Sequence, residues 1–168
     1  MGLKVTGYCG IEPVVGPRLD ERANPRDVFN VRFYWAPRHI VRTDGMDMHP
    51  VYRYRNSFEF DAGTYAMHNI FCEQLAELAG YGAIPLGDAP ICYTNGAIAE
   101  SEGPFRELID FSRSMGTIGP RTAGKLADDF ARYMNVVEAE KDPLFGELFR
   151  NWFVALTIAR LDGALQLH

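Results

Sequence analysis

Cysteine is scarce in this chain, and long apolar runs are missing. Three cysteines, Cys9, Cys72 and Cys92, are an odd set with no paired spacing, which excludes a disulfide framework and points to a reducing compartment. No apolar stretch approaches the roughly 20 residues that cross a bilayer, and no apolar segment of the secretory kind follows Met1. A cytoplasmic location with no membrane partner is therefore expected. The histidines number four, His39, His49, His68 and His168, and no HExxH, HxH or CxxC spacing joins them, so neither a metal nor another cofactor is expected. There is no G-x-S-x-G elbow and no other catalytic motif. Positive charge is not in excess either. At a formal net charge of -5, general nucleic-acid binding through phosphate neutralisation is not expected.

What is present suits one globular domain spanning residues 1–168. A chain of 168 residues buries about two-thirds of its unfolded surface, enough for a core without covalent staples. The charge is uneven. Residues 1–56 carry nine Lys/Arg against six Asp/Glu, and residues 57–168 carry eight against sixteen. The first third leaves room for a local anion site, whereas the acidic remainder could face a basic partner.

Strand patterns come first along the chain. Leu3, Val5 and Gly7 alternate with Lys4, Thr6 and Tyr8. Val28–Trp35 reads as the best strand, with Phe29, Val31, Phe33 and Trp35 on one face and Arg32 and Tyr34 on the other. Val51–Arg55 and Phe58–Phe60 follow, with Tyr52 and Tyr54 on one face and Arg53 and Arg55 on the other. Helical periodicity then takes over. Thr64 is placed to cap a helix whose inward stripe reads Met67, Ile70, Phe71, Leu75, Leu78 and Ala79. A glycine- and proline-rich connection over residues 80–104 has room for a short strand at Ile91–Tyr93. Pro104–Ser112 reads as a short helix with Phe105, Leu108 and Ile109 inward, and Gly116-Thr117-Ile118-Gly119 breaks it. Pro120 opens a longer helix carrying Leu126 and Phe130 inward. Asp142-Pro143 starts another, with the stripe Leu148, Phe149, Trp152, Leu156 and Ala159, and Ala164–His168 can form a last strand. The expected class is α+β: an antiparallel sheet from the N-terminal third packed against about four helices from the C-terminal two-thirds.

Three stretches together resemble a known group. They are Phe60-Asp61-Ala62-Gly63-Thr64-Tyr65 with Leu75-Ala76-Glu77-Leu78-Ala79-Gly80-Tyr81; Glu107–Ser112 with Gly116–Pro120 and Leu126-Ala127-Asp128-Asp129-Phe130; and Asn151-Trp152 through Gly163-Ala164 to Leu167-His168. Over roughly residues 58–168 the chain is similar to small uncharacterised proteins of bacteriophages and prophages. The resemblance implies a phage-associated context, hence a host cell cytoplasm, and no established activity. Those proteins tend to carry an acidic turn after the helix corresponding to Glu107–Phe111. Here that turn reads Ser112-Arg113-Ser114-Met115-Gly116, without a carboxylate, so no metal role carries over.

Several clusters were weighed as sites. Asp47 and His49 supply two potential metal ligands from one loop, fewer than a metal site needs. His68 and Cys72, four apart on a helix, share a face, and a core-lining role explains them. The Gly116–Thr122 segment delivers a glycine-rich turn into a helix start that can hold an anion, with Arg121 or Arg113 adding charge. The richest stretch is residues 32–56. Guanidinium forks there suit phosphate or carboxylate, and aromatic faces stack on bases or rings. The site residues expected on this basis are Arg38, Tyr52, Arg53, Arg55 and Arg121, with no catalytic residues. The function expected is non-enzymatic capture of a small anionic, nucleotide-like molecule that interferes with a host response. Two alternatives remain open: an inhibitor docking its acidic C-terminal surface on a host protein, and a small nucleotide hydrolase using His39 or His49 as base. A homo-oligomer is compatible with exposed aromatic strands.

Overall fold

The computed structural model describes residues 2–111, 115–140 and 142–168. The chain opens with β1 (Gly2–Cys9), β2 (Glu12–Pro13) and β3 (Asn30–Val31), then a 3-10 segment at Pro37–Thr43, β4 (Tyr52–Arg53) and β5 (Asn56–Thr64). The helical half holds α1 (Tyr65–Leu78), the hairpin β6 (Ile84–Leu86) and β7 (Ala89–Cys92), α2 (Tyr93–Ala99), α3 (Arg106–Ile109), β8 (Gly116–Ile118), α4 (Pro120–Ala139), α5 (Pro143–Ala159) and β9 (Ala164–Leu167).

The fold is α+β, built on a four-stranded antiparallel sheet of order β5-β1-β9-β8. The N-terminal third supplies only half of it. β9 sits inside the sheet between β1 and β8, so the late strands are integral to it. β9 lies within the strand expected at Ala164–His168, whereas three-residue β8 holds too few alternations to announce itself and Gly116-Thr117-Ile118 reads locally as a glycine break. One face of the sheet is apolar: Leu3, Val5, Phe60, Ala62, Ile118, Leu165 and Leu167 are buried. It packs against α1, α4 and α5.

Local chemistry explains the helix starts. The Thr64 side chain accepts from Met67 N at 3.2 Å, and Asp142 accepts from Leu144 N and Phe145 N, both at 3.1 Å. Pro120 occupies the first turn of α4, where its missing N–H costs nothing. Glu73 on α1 accepts from Tyr93 N and Thr94 N, at 2.6 and 2.9 Å, and so closes the start of α2. Phe105, left-handed at φ 58°, is pinned where its N–H meets buried Asp129 at 2.9 Å, a carboxylate that Lys125 also contacts at 2.8 Å.

Two periodic readings shift. Within Val28–Trp35 only Asn30–Val31 pairs as strand. Val28 and Phe29 are 82% and 61% exposed, because the segment crosses the sheet edge before Phe33 turns inward. On α1 the buried set is His68, Phe71, Cys72, Leu75 and Ala76, and Ile70 lies out in solvent. The helix is rolled so that His68 and Phe71 meet the Trp152 indole, with ring centroids 5.7 and 6.2 Å away. The connection over residues 80–104 holds both the short hairpin and α2.

The opposite face of the main sheet carries a second layer. The small antiparallel sheet β2-β4-β3 lies over it through a minor core of Phe33, Tyr52 and Ala164, edged by Tyr8, Ile11, Val31, Trp35 and Met46. Burying each large side chain in either core contributes about 1.5–3 kcal/mol.

β1 and α5 meet closely at Gly7, where an added Cβ would stand 2.3 Å from Ala155 O. Gly7→Ala is expected to lower stability by about 3 kcal/mol, the upper end for overpacking, since backbone must move. Urea unfolding midpoints of the two proteins measure this.

Candidate functional site

The outward face of the main sheet is polar where a layered fold would favour apolar residues. Register places Thr6 opposite Glu59 on one side and Gln166 on the other, with Gln166 opposite Thr117. The row Glu59–Thr6–Gln166–Thr117 thus crosses all four strands. Thr6 is 3% exposed, and its Oγ1 lies 2.9 Å from His168 Nε2 and 3.2 Å from Glu59 Oε2. A hydroxyl has one proton: when Thr6 donates to Glu59, His168 Nε2–H donates to Thr6. Lys4 Nζ holds the other Glu59 oxygen at 2.8 Å. At the far end the Thr117 hydroxyl donates to Tyr34 O at 2.7 Å, tying the second layer down.

Gln166 stands apart in this row. It is 9% exposed, and its Oε1 is shut off from solvent and accepts no hydrogen bond among the described residues. An orphaned buried carbonyl of this kind costs about 1–3 kcal/mol. Gln166 forms part of a cleft of about 610 Å³, with Phe33, Tyr34 and Trp35 as aromatic wall and Asn24 and Arg32 at its rim. That volume lies in the usual range for small-molecule sites. The Phe33 and Trp35 rings stand 6.5 Å apart at 65°. Exposed Arg32 spends one N–H on Ala23 O at 3.3 Å. The arrangement can stack a planar ring, read its polar edge with an amide, and meet a negative group with a guanidinium.

The residues expected from sequence occupy several places. Tyr52 is buried in the minor core, its hydroxyl donating to Asp47 O, and burial pushes its pKa up. Arg53 and Arg55 are exposed and share a shallow concavity with Val28, Phe29 and Tyr54, while Arg55 also pairs with Glu12 at 3.3 Å. Arg38 is exposed on the 3-10 segment and Arg121 is exposed in the first turn of α4. Tyr52 borders a smaller cavity of about 160 Å³ that includes neither arginine pair. The five residues do not meet in one pocket. The start of α4 already has an internal anion: Asp44 Oδ1 accepts from Thr122 N at 3.0 Å and Thr122 Oγ1 at 2.8 Å. Arg113 and the Ser112–Ser114 turn lie outside the described residues.

The histidines proposed as bases hold local contacts. His49 Nδ1 lies 2.9 Å from Val51 O, and His39 lies against Phe111. Among the described residues no three His, Cys, Asp or Glu side chains converge as a metal site requires. Thr6, Glu59, Gln166 and His168 were not singled out in the sequence. Their only local signal is the alternation Lys4-Thr6-Tyr8 and Gln166-His168, and nothing local states that the two strands are neighbours.

No protein-family model, no curated protein and no solved structure matches this chain. None of these comparisons bears on the resemblance to phage and prophage proteins. Among the described residues, no helix is long and apolar enough to cross a membrane.

The polar row carries a pH signature. The hydrogen bond from Lys4 holds the Glu59 pKa below its ordinary 4.5, and burial holds His168 below 6.5. Both groups bind protons more tightly when unfolded, so each stabilises the fold above its unfolded pKa and loses that effect as pH falls through the folded one. Stability is expected to begin falling below about pH 6.5, and more steeply below about 4.5. In urea unfolding followed from pH 8 to 4, His168→Asn should flatten the upper part of that decline and Glu59→Gln the lower.

Proposed function

We propose that this protein captures a small, planar, anionic molecule of nucleotide type in the cleft between its two layers, without acting chemically on it. The ring lies against Phe33 and Trp35, its polar edge meets the Gln166 amide, and its phosphate reaches Arg32 at the rim. In the phage-associated context that the motifs suggest, such capture would withhold the molecule from a host response.

The single observation that carries this reading is the Gln166 amide, nine-tenths buried, bordering an aromatic cleft and lacking a partner for its oxygen among the described residues. A solvated face, with arginine stems covering aromatic edges, accounts for Arg32 and Tyr34. It does not account for an amide sequestered beneath them whose oxygen accepts no hydrogen bond among the described residues.

The test is thermal denaturation with AMP, GMP, UMP and inorganic pyrophosphate. A compound at a hundred times its Kd should stabilise the protein by about 2.7 kcal/mol, and Gln166→Leu and Arg32→Ala should each weaken that effect. Gln166→Leu should also leave the ligand-free protein as stable as before or more so, because it removes the orphaned carbonyl. No shift with any of the four compounds, or an undiminished shift in Gln166→Leu, would overturn the proposal.

A further inference from the structure

A second polar cluster lies inside the main core, away from the cleft. Helix α1 sets His68 and Cys72 one turn apart, with Sγ 3.6 Å from the imidazole Nε2. Both are buried, at 3% and 6% exposure. The imidazole stacks on the Trp152 indole at 5.7 Å and 29°, a position in which a protonated ring gains cation–π attraction. Beside the pair is a cavity of about 40 Å³ that Asn69, Thr94 and Ile98 help to line. Asn69, one of its lining residues, is solvent-exposed. A water molecule occupies roughly 30 Å³ in the liquid. The space has room for a molecule of at least that size, while the burial of Cys72 keeps bulky reagents from its sulfur.

We propose that Cys72 is a peroxide-reactive thiol, activated by His68 and reached only by hydrogen peroxide or a molecule of similar size. A thiol that merely fills the core has no need of an imidazole at hydrogen-bond range or of a water-sized space beside both groups. In the reaction, His68 takes the thiol proton. The thiolate sulfur attacks one peroxide oxygen, and the S–O bond forms as the O–O bond breaks. The departing hydroxide takes the proton back from His68 and leaves as water. Sulfur is oxidised by two electrons to the sulfenic acid, the peroxide is reduced, and external thiol can restore the cysteine when the site opens locally.

The experiment uses the full chain carrying Cys9→Ser and Cys92→Ser, hydrogen peroxide as the probe, dimedone added with denaturant once the peroxide has been removed as the trap, and intact mass as the readout. One dimedone adduct, mapped to Cys72, is expected, while fluorescein maleimide labels the folded protein far more slowly than the unfolded one. His68→Gln should slow adduct formation by about a hundredfold, the scale of a lost proton-transfer partner. If circular dichroism shows that His68→Gln does not fold, Ile98→Phe, which fills the cavity and leaves the pair in place, should slow it instead. The proposal is overturned if Cys72 resists peroxide that oxidises free cysteine. It is equally overturned if the folded variant tested reacts at the parent rate, or if maleimide labels the folded protein as fast as the unfolded one.

Discussion

The packing of Trp152 is the constraint on which the rest of the molecule depends. Its indole is wholly buried on α5, with Phe60 of β5 edge-on at 5.5 Å and Phe71 and His68 of α1 stacked against it. One side chain thus sets the distance from α5 to both the sheet and α1. With α5 held there, β1 can lie against it only because residue 7 has no side chain, and the sheet is drawn up to the helix backbone. Aromatic pairs of this geometry contribute about 0.5–1.5 kcal/mol beyond their buried area, so the cluster also specifies which way α1 rolls. That roll brings His68 and Cys72 inward and turns Ile70 out.

The second layer follows different physics. The outward face of a four-stranded sheet can be wetted, covered by apolar groups, or covered by polar groups that satisfy one another. Here all three occur within a few residues. Ala164 and Tyr8 meet the minor core, Lys4 and Glu59 meet water, and Thr6, Gln166 and Thr117 lie between. The middle zone carries the most chemistry because its groups are removed from solvent without all being paired. A fold optimised only for stability would place a small apolar residue at 166, and the amide's presence there is what gives the cleft its meaning.

Much of this architecture was legible in the residues, and the boundary between what was and was not is physical. Helix starts at Thr64, Pro120 and Asp142 depend on contacts within a turn, so a local reading suffices. The stripe Leu148, Phe149, Trp152, Leu156 and Ala159 is buried throughout, because a central helix has only one way to face a core. Strand membership depends on partners far along the chain. Asn30–Val31 pairs while Val28 and Phe29 hang in solvent, although all four residues suit a strand. Tyr52 and Arg53 did alternate as their spacing indicates, tyrosine inward and arginine outward. Composition points to the arginines, yet the amide left without a partner for its oxygen among the described residues is Gln166, in a strand that looks ordinary.

The position of β9 has a consequence for how the chain acquires its shape. The hydrogen-bonded neighbours Thr6 and His168 are separated by 162 positions, and β9 lies between β1 and β8, so neither of those strands has its inner partner until residues 164–167 arrive. Loop closure over such a span carries an entropic cost before any pairing compensates it, and non-local topologies of this kind fold slowly. During biosynthesis β1 can pair with β5 early, as a hairpin-like unit, but its other edge stays bare until the last strand emerges from the ribosome. Until residues 164–167 have been made, the nascent chain therefore presents an open, partly apolar strand edge, the condition under which chains most need chaperone cover.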